Sequence, residues 1–319
     1  MAKEKKVFKT YEELIELLKS RGIVIDNPEC AINILSSENY YSVINGYNDL
    51  FLNTTRCSDC YKPGTNFSEI VALYNFDRHL REILLIELLR IEKLIRTKVT
   101  YTFSKYHGYD HRKYLSLQNF NSSGPKNQSL TQKLIDELNA TIQYYSKKHK
   151  AISYYLNSHG YVPLWVLSNV VSFGTLNYFI SRMLIDEKIE VSNEFGLNVS
   201  EFESILHILC DFRNKCAHGE RIYSYKKDIV KSHYIPIFKL HSTLRIPSNE
   251  KGPKYGREDV LALLIVLKFF ISTRHYPLLI AKIENQLNKL SSKLSVVSIQ
   301  DVMQVMGLVP NWTDLKHFK

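Results

Sequence analysis

Along most of the chain the apolar positions recur at intervals of three and four, the period of an amphipathic helix. Thr10 opens Thr-Tyr-Glu-Glu, a capping-box pattern, and Leu14, Leu17 and Leu18 follow on one face until Gly22. Asn27-Pro28 reads as a cap followed by a proline at the first helical position, opening a second short helix. Residues 53–66 are polar and predict a loop. Asn66-Phe67-Ser68-Glu69 caps the longest helical pattern, which runs to about His107 before Gly108. Leu73, Phe76, Leu80, Leu84, Glu87, Ile91, Leu94 and Ile95 keep its spacing, no proline interrupts it, and its wide apolar arc makes it the central helix. Beyond a serine-rich loop with Gly124-Pro125, helices are predicted over 130–147 and over 163–184, the latter with a break near Gly174. Asn198-Val199-Ser200-Glu201 caps another, running through Ile205, Leu206, Leu209 and Phe212 toward Gly219. The last third predicts helices near 257–272, 277–293 and 299–306, ahead of Pro310 and Trp312. Tyr234-Ile235-Pro236-Ile237 is a candidate extended piece, alternating strand patterns are few, and no repeat stands out. The fold class is all-α. Three regions are expected: an N-terminal helical segment and loop (1–65), a helical core (66–225) and a C-terminal helical extension packed on it (226–319).

Composition narrows the function classes. The chain has 319 residues, 45% hydrophobic and 23% charged, which fits a globular fold and argues against disorder or collagen. The longest clean apolar run, Val260 to Leu267, is far short of the roughly 20 residues a membrane helix needs. The start, MAKEKKVFKTYEEL, has lysines without an apolar signal core, and five cysteines are an odd count. Both suggest the reducing cytoplasm, with no membrane partner. Lys plus Arg is 42 against 32 for Asp plus Glu, leaving a net charge of +10, which suits a polyanion such as nucleic acid. The 21 tyrosines and 15 phenylalanines offer stacking faces for unpaired bases, although most such rings belong in a core. The lysine clusters (Lys3 with Lys5 and Lys6; Lys147, Lys148 and Lys150; Lys226 and Lys227) are solvated faces singly and a candidate phosphate track jointly.

No phosphate-binding glycine loop, dinucleotide fingerprint, zincin or hydrolase signature occurs. Cys57-Ser58-Asp59-Cys60 is a lone CxxC without the further ligands a zinc site needs, so a reduced loop pair is expected, with no metal and no cofactor. The most informative stretch is Arg213-Asn214-Lys215-Cys216-Ala217-His218-Gly219, at the end of a capped helix. Five residues correspond to about 140° of helical rotation, so Arg213 and His218 converge only where the helix loosens, and Gly219 is placed to end it. A helix C-terminus favours an imidazolium, an imidazole suits proton transfer near neutral pH, and a guanidinium suits a phosphate oxyanion. Such a pair resembles the minimum equipment for metal-free RNA cleavage by the RNA's own 2′-hydroxyl; by spacing alone, an arginine and a histidine five apart are common and are usually a helix cap beside a surface residue.

The same segment resembles the Arg-Asn-x-x-x-His form of the RxxxxH motif of HEPN ribonucleases. Asn39-Tyr40-Tyr41 with Gly46-Tyr47 and Phe51, Leu73-Tyr74-x-Phe76-Asp77-x-x-Leu80-Arg81, Ile91-Glu92-x-x-x-Arg96, Val162-Pro163-Leu164-Trp165-Val166-Leu167 with Ser172-Phe173-Gly174, and Met306-Gly307 with Pro310 and Trp312 resemble signatures of the Abi-like (AbiD/AbiF) abortive-infection family. The loop at 53–66 is not part of that resemblance. The resemblance implies a multi-helix HEPN-like bundle with additional N- and C-terminal helices, RNA cleavage without a metal, a role in phage defence, kinship with the HEPN nucleases of RNA-targeting CRISPR effectors, and control by a small structured RNA. By motif matching Arg213 and His218 are the catalytic pair, with Asn214 orienting the motif or the phosphate. Glu92 and Arg96, one helical turn apart, can pair on one face; either Glu92 orients Arg213 or Arg96, or the two form an ordinary surface pair worth under about 0.5 kcal/mol. Of the 13 arginines only Arg213 has a histidine five to seven residues later. A single motif implies a homodimer that completes one cleft, joined through the apolar face of the 199–217 helix or a neighbouring helix. Two alternatives use the same residues: a non-cleaving module that holds a regulatory RNA, and an interaction scaffold whose Arg213 and His218 merely end a helix.

Overall fold

The computed structural model describes residues 7–53, 55, 59–226, 238–250 and 252–317. The caps read from the sequence are the ones that form. Thr10 and Glu13 make a reciprocal capping box on α1 (Tyr11–Ser20), and Asn27 accepts the Cys30 amide at the head of α2 (Pro28–Ser37). Asn66 accepts the Ser68 amide at the head of α3 (Phe67–His107), and Gly108, at φ +76°, ends that helix. At 1.5 Å per residue α3 is about 60 Å long. Leu73, Phe76, Leu80, Leu84, Leu88, Ile91, Ile95, Val99 and Phe103 form its buried stripe. Leu88 takes the inward position assigned to Glu87, which turns out to pair with Arg90 at 2.8 Å. Phe103 sits with Phe179 at 4.8 Å and Phe120 at 5.1 Å between ring centroids; truncating it to alanine would cost about 3–5 kcal/mol.

After the short α4 (His111–Tyr114), α5 (Gly124–Tyr145) begins earlier than the sequence suggests, because Pro125 occupies its first turn. The stretch expected as one interrupted helix is α7 (Leu164–Leu167), a 3₁₀ turn, and α8 (Phe173–Arg182). The break falls at Ser172, whose hydroxyl caps α8, rather than at Gly174. Two helices lacked a periodic signal. In α6 (Lys150–His159) only Ile152 is fully buried, and α9 (Ile185–Asn193) turns Glu187 and Lys188 inward to meet His107 and Glu203. Helix α10 (Val199–Ala217) packs against α3, α8, α9 and α12 (Val260–Leu267), the last buried along its whole length. Helix α13 (Tyr276–Ser291) lies along α3 and α14 (Ile299–Val305) beside α13, while α11 (Phe238–Thr243) precedes a two-stranded antiparallel hairpin, Ser248–Asn249 with Gly252–Pro253. Among the described residues the fold is all-α apart from this hairpin. The extended piece expected at 234–237 lies outside the described residues. Among the described residues no helix is long and apolar enough to cross a membrane.

Candidate functional site

Helix α10 carries the motif at its C-terminal end. Gly219, at φ +70°, closes it as a Schellman turn: its amide reaches the Cys216 carbonyl at 3.3 Å, and the Glu220 amide reaches the Lys215 carbonyl at 2.9 Å. The Lys215 ammonium and Glu220 carboxylate close the same turn at 2.6 Å. His218 is the C-cap residue, at φ −90° and ψ 3°, so it leaves the helical path one residue past the last turn. It is exposed, its amide is held by the Asn214 carbonyl at 2.9 Å, and its ring makes no hydrogen bond to a described residue.

Arg213 lies one turn earlier and is a quarter exposed. Its Nε donates to Glu92 Oε2 at 2.8 Å, and its Nη1 reaches Asn214 Oδ1 at 3.3 Å. The other oxygen of Glu92 accepts Arg96 Nη2 at 2.7 Å, and Arg96 Nη1 in turn donates to the carbonyls of Ser168 and Val171. Glu92 and Arg96 are nearly buried. Of the two readings of Glu92 and Arg96, the ordinary surface pair does not hold: they form a buried bridge, α10 to α3 to the turn after α7, and Glu92 fixes the Nε edge of Arg213 while among the described residues nothing occupies Nη2. Asn214 also places Nδ2 3.8 Å from the Cys210 sulfur. Burial pushes the Cys216 thiol up to about 12, so this motif cysteine is a neutral core residue at physiological pH.

A second bridge, unread in the sequence, holds the chain just after His218. Asp77 is fully buried on α3 and accepts the Tyr47 hydroxyl at 2.6 Å, the Arg81 guanidinium, and the amides of Ile222 (3.2 Å) and Tyr223 (2.7 Å). Arg81 also donates to the Glu220 carbonyl at 3.4 Å. Arg221 reaches back to the Gly46 carbonyl and to Asp49 at 2.8 Å. The signal was present: Asp77 and Arg81 continue the inward spacing of Leu73 and Leu84, and charged residues at core positions need partners.

A family model described as Abi-like protein matches residues 33–224. The chain belongs to the Abi-like protein family. Abortive infection, the phage-defence response from which the family takes its name, is thus its functional setting. Comparison with curated proteins and with solved structures returns no match.

Of the residues expected to serve an Abi-like RNA site, Arg213, Asn214, Glu92 and Arg96 come together, and His218 stands at the open end of the same helix. Lys147, Lys148 and Lys150 surround a shallow pocket of about 420 Å³ at the α5–α6 turn. Lys226 is exposed beyond the 220–223 anchor; Lys227 and the lysines at 3, 5 and 6 lie outside the described residues. Two expectations need correcting. The apolar face of α10 offered as a dimer interface is buried within the chain, with Phe202, Ile205, Leu206, Leu209 and Phe212 at 0–1% exposure against neighbouring helices, so two copies cannot meet through it. Cys60 is disulfide-bonded rather than reduced, while Cys57 lies outside the described residues.

Proposed function

We propose that this Abi-like protein is a metal-independent endoribonuclease of an abortive-infection system, working as a homodimer and restrained by a small structured RNA. What carries the reading is the arrangement of Arg213 and His218. The guanidinium is fixed through Nε by a buried carboxylate with an Nη edge open, and an unencumbered imidazole follows at the same helix end. The fixed guanidinium meets the nonbridging oxygens of a phosphodiester and stabilises the charge that grows on them. His218 takes the proton of the adjacent 2′-hydroxyl as its oxygen attacks phosphorus. The P–O5′ bond breaks, the 5′-oxygen takes a proton from the imidazolium of a second copy, and a 2′,3′-cyclic phosphate remains. The exposed faces flanking the end of α10, not its buried stripe, would bring two motifs together.

Cleavage of RNA by the purified protein in EDTA, with products ending in a cyclic phosphate, tests this directly. His218→Ala and Arg213→Ala should each lower cleavage by 10² or more while the fold is kept. Full activity in His218→Ala, or loss of activity on adding EDTA, would overturn it. RNA binding without any cleavage would support the second reading, a module that holds a regulatory RNA, which the lysine pocket at the α5–α6 turn favours.

A further inference from the structure

We propose that the α5–α6 corner, together with the start of the segment after α3, is a platform for single-stranded RNA, with bases stacking on a run of tyrosine rings and phosphates lying against three lysines. It rests on the reading that RNA is the partner, and lies outside the Arg213–His218 motif. The rings form a continuous series. Tyr109 and Tyr161 stand 5.0 Å apart between centroids, Tyr161 and His159 5.8 Å, His159 and Tyr155 5.4 Å, and Tyr155 and Tyr154 5.7 Å. Tyr109 is 55% exposed and Tyr154 59%, unusual for large rings that gain by burial. Tyr154 also lines the shallow pocket formed by Lys147, Lys148, His149, Lys150 and Ser153, and no carboxylate lines that pocket. Next to it the Lys148 ammonium lies 3.6 Å from the centroid of the exposed Tyr144 ring.

The support beneath the rings is rigid. Both backbone polar groups of Val162 are bonded in the interior, the amide to His111 Nδ1 at 3.1 Å and the carbonyl to the Tyr114 hydroxyl at 2.9 Å. That fixes Tyr161 against Tyr109. The carboxylate of Asp110, next to Tyr109 in the chain, is paired with Arg112 at 2.7 and 2.9 Å. Lysines in a pocket that no described carboxylate lines select a polyanion, and exposed rings add affinity only where bases are free to stack on them. In duplex RNA the bases are already stacked on one another, so single strands are the form that fits.

Fluorescence anisotropy with full-length His218→Ala protein, which holds RNA uncut, reads the platform. The probes are a short labelled single-stranded RNA and the blunt duplex of the same sequence. Tyr154→Ala and Tyr109→Ala should each weaken single-strand binding by roughly 5- to 100-fold, whereas Tyr154→Phe and Tyr109→Phe keep it, because a phenyl ring still stacks. Replacing Lys147, Lys148 and Lys150 by alanine should reduce the slope of log K against log salt by about 2. Unchanged affinity in the alanine variants, or equal binding of duplex and single strand, overturns the platform. If the wild-type protein cleaves RNA and the ring variants bind normally, the platform falls and the nuclease stands. If the ring variants lose binding in a protein that cleaves nothing, the nuclease falls and the platform stands.

Discussion

Asp77→Asn tests whether the chain beyond His218 must be held for the site to work. The carboxylate receives the Tyr47 hydroxyl, the Arg81 guanidinium and the amides of Ile222 and Tyr223, all within the interior. An asparagine keeps one oxygen, enough for the two backbone amides, but turns an NH₂ toward Arg81, which then lacks its counter-charge at 8% side-chain exposure. Breaking a buried pair costs 3–5 kcal/mol, and the bonds retained by the amide place this variant near the lower end, about 3 kcal/mol. The Glu220 and Tyr223 anchors loosen with Arg81, and His218 is released on the side away from the helix. A misplacement on the order of 1 Å at a reacting group costs about 10²-fold in rate. Leu287→Ala on α13 is the control, since it also removes buried structure worth about 2–5 kcal/mol but none of the hydrogen-bond partners of Asp77. Urea unfolding gives the stability of each variant, and RNA cleavage is compared at a temperature where both are folded. If Asp77→Asn cleaves within about threefold of Leu287→Ala, the anchor has no positioning role and the argument fails.

Glu92→Gln should lower cleavage by about tenfold or more with RNA affinity little changed, because the amide cannot accept Arg213 and Arg96 together; equal loss of affinity and rate would point to binding instead. Gly307→Ala should unfold the C-terminal region. Position 307 has φ +78°, and an added Cβ would lie 2.1 Å from the Asp259 carboxylate that caps α12; a melting temperature within a few degrees of wild type would contradict this. Burial lowers the His111 pKa below its ordinary value, against the pull of Asp110 at 3.9 Å and with the push of Arg112. The unfolded chain therefore binds the proton more readily, and stability should fall as pH drops below about 6.5, less steeply in His111→Asn, as thermal melts across that range would show.

How much was legible in the sequence follows from what each element buries. Helices with an apolar stripe and a side-chain cap, α1, α3 and α10, were placed nearly to the residue, and the cap alone placed the start of α2, because both signals are local. Helices α6 and α9 were missed because neither buries an apolar stripe: α6 fully buries Ile152 alone, and α9 turns Glu187, Lys188 and Ser192 inward with Val191, charged and polar groups that report burial only once their partners are known. The same holds at the site. Arg213, His218 and Glu92 could be named from a motif, but the pairing of Asp77 with residues 222 and 223 spans more than 140 positions and has no local trace beyond two charges at inward spacing.

The separated signatures become one device on α3. Arg81 and Glu92 are eleven residues apart, three turns and about 20°, so they face the same side of the helix roughly 16 Å from each other. Glu92 holds the arginine end of the motif, and Asp77 with Arg81 holds the chain just past the histidine, so α10 must run antiparallel to α3 with His218 between two fixed points. Neither α10 nor the loop after it could set that separation alone, since the Schellman turn ends the rigid part at Ala217. The unbroken α3 sets it instead. An interior proline would kink the helix and change the angle between its two grips, which gives a physical reason for the absence of proline between Phe67 and His107.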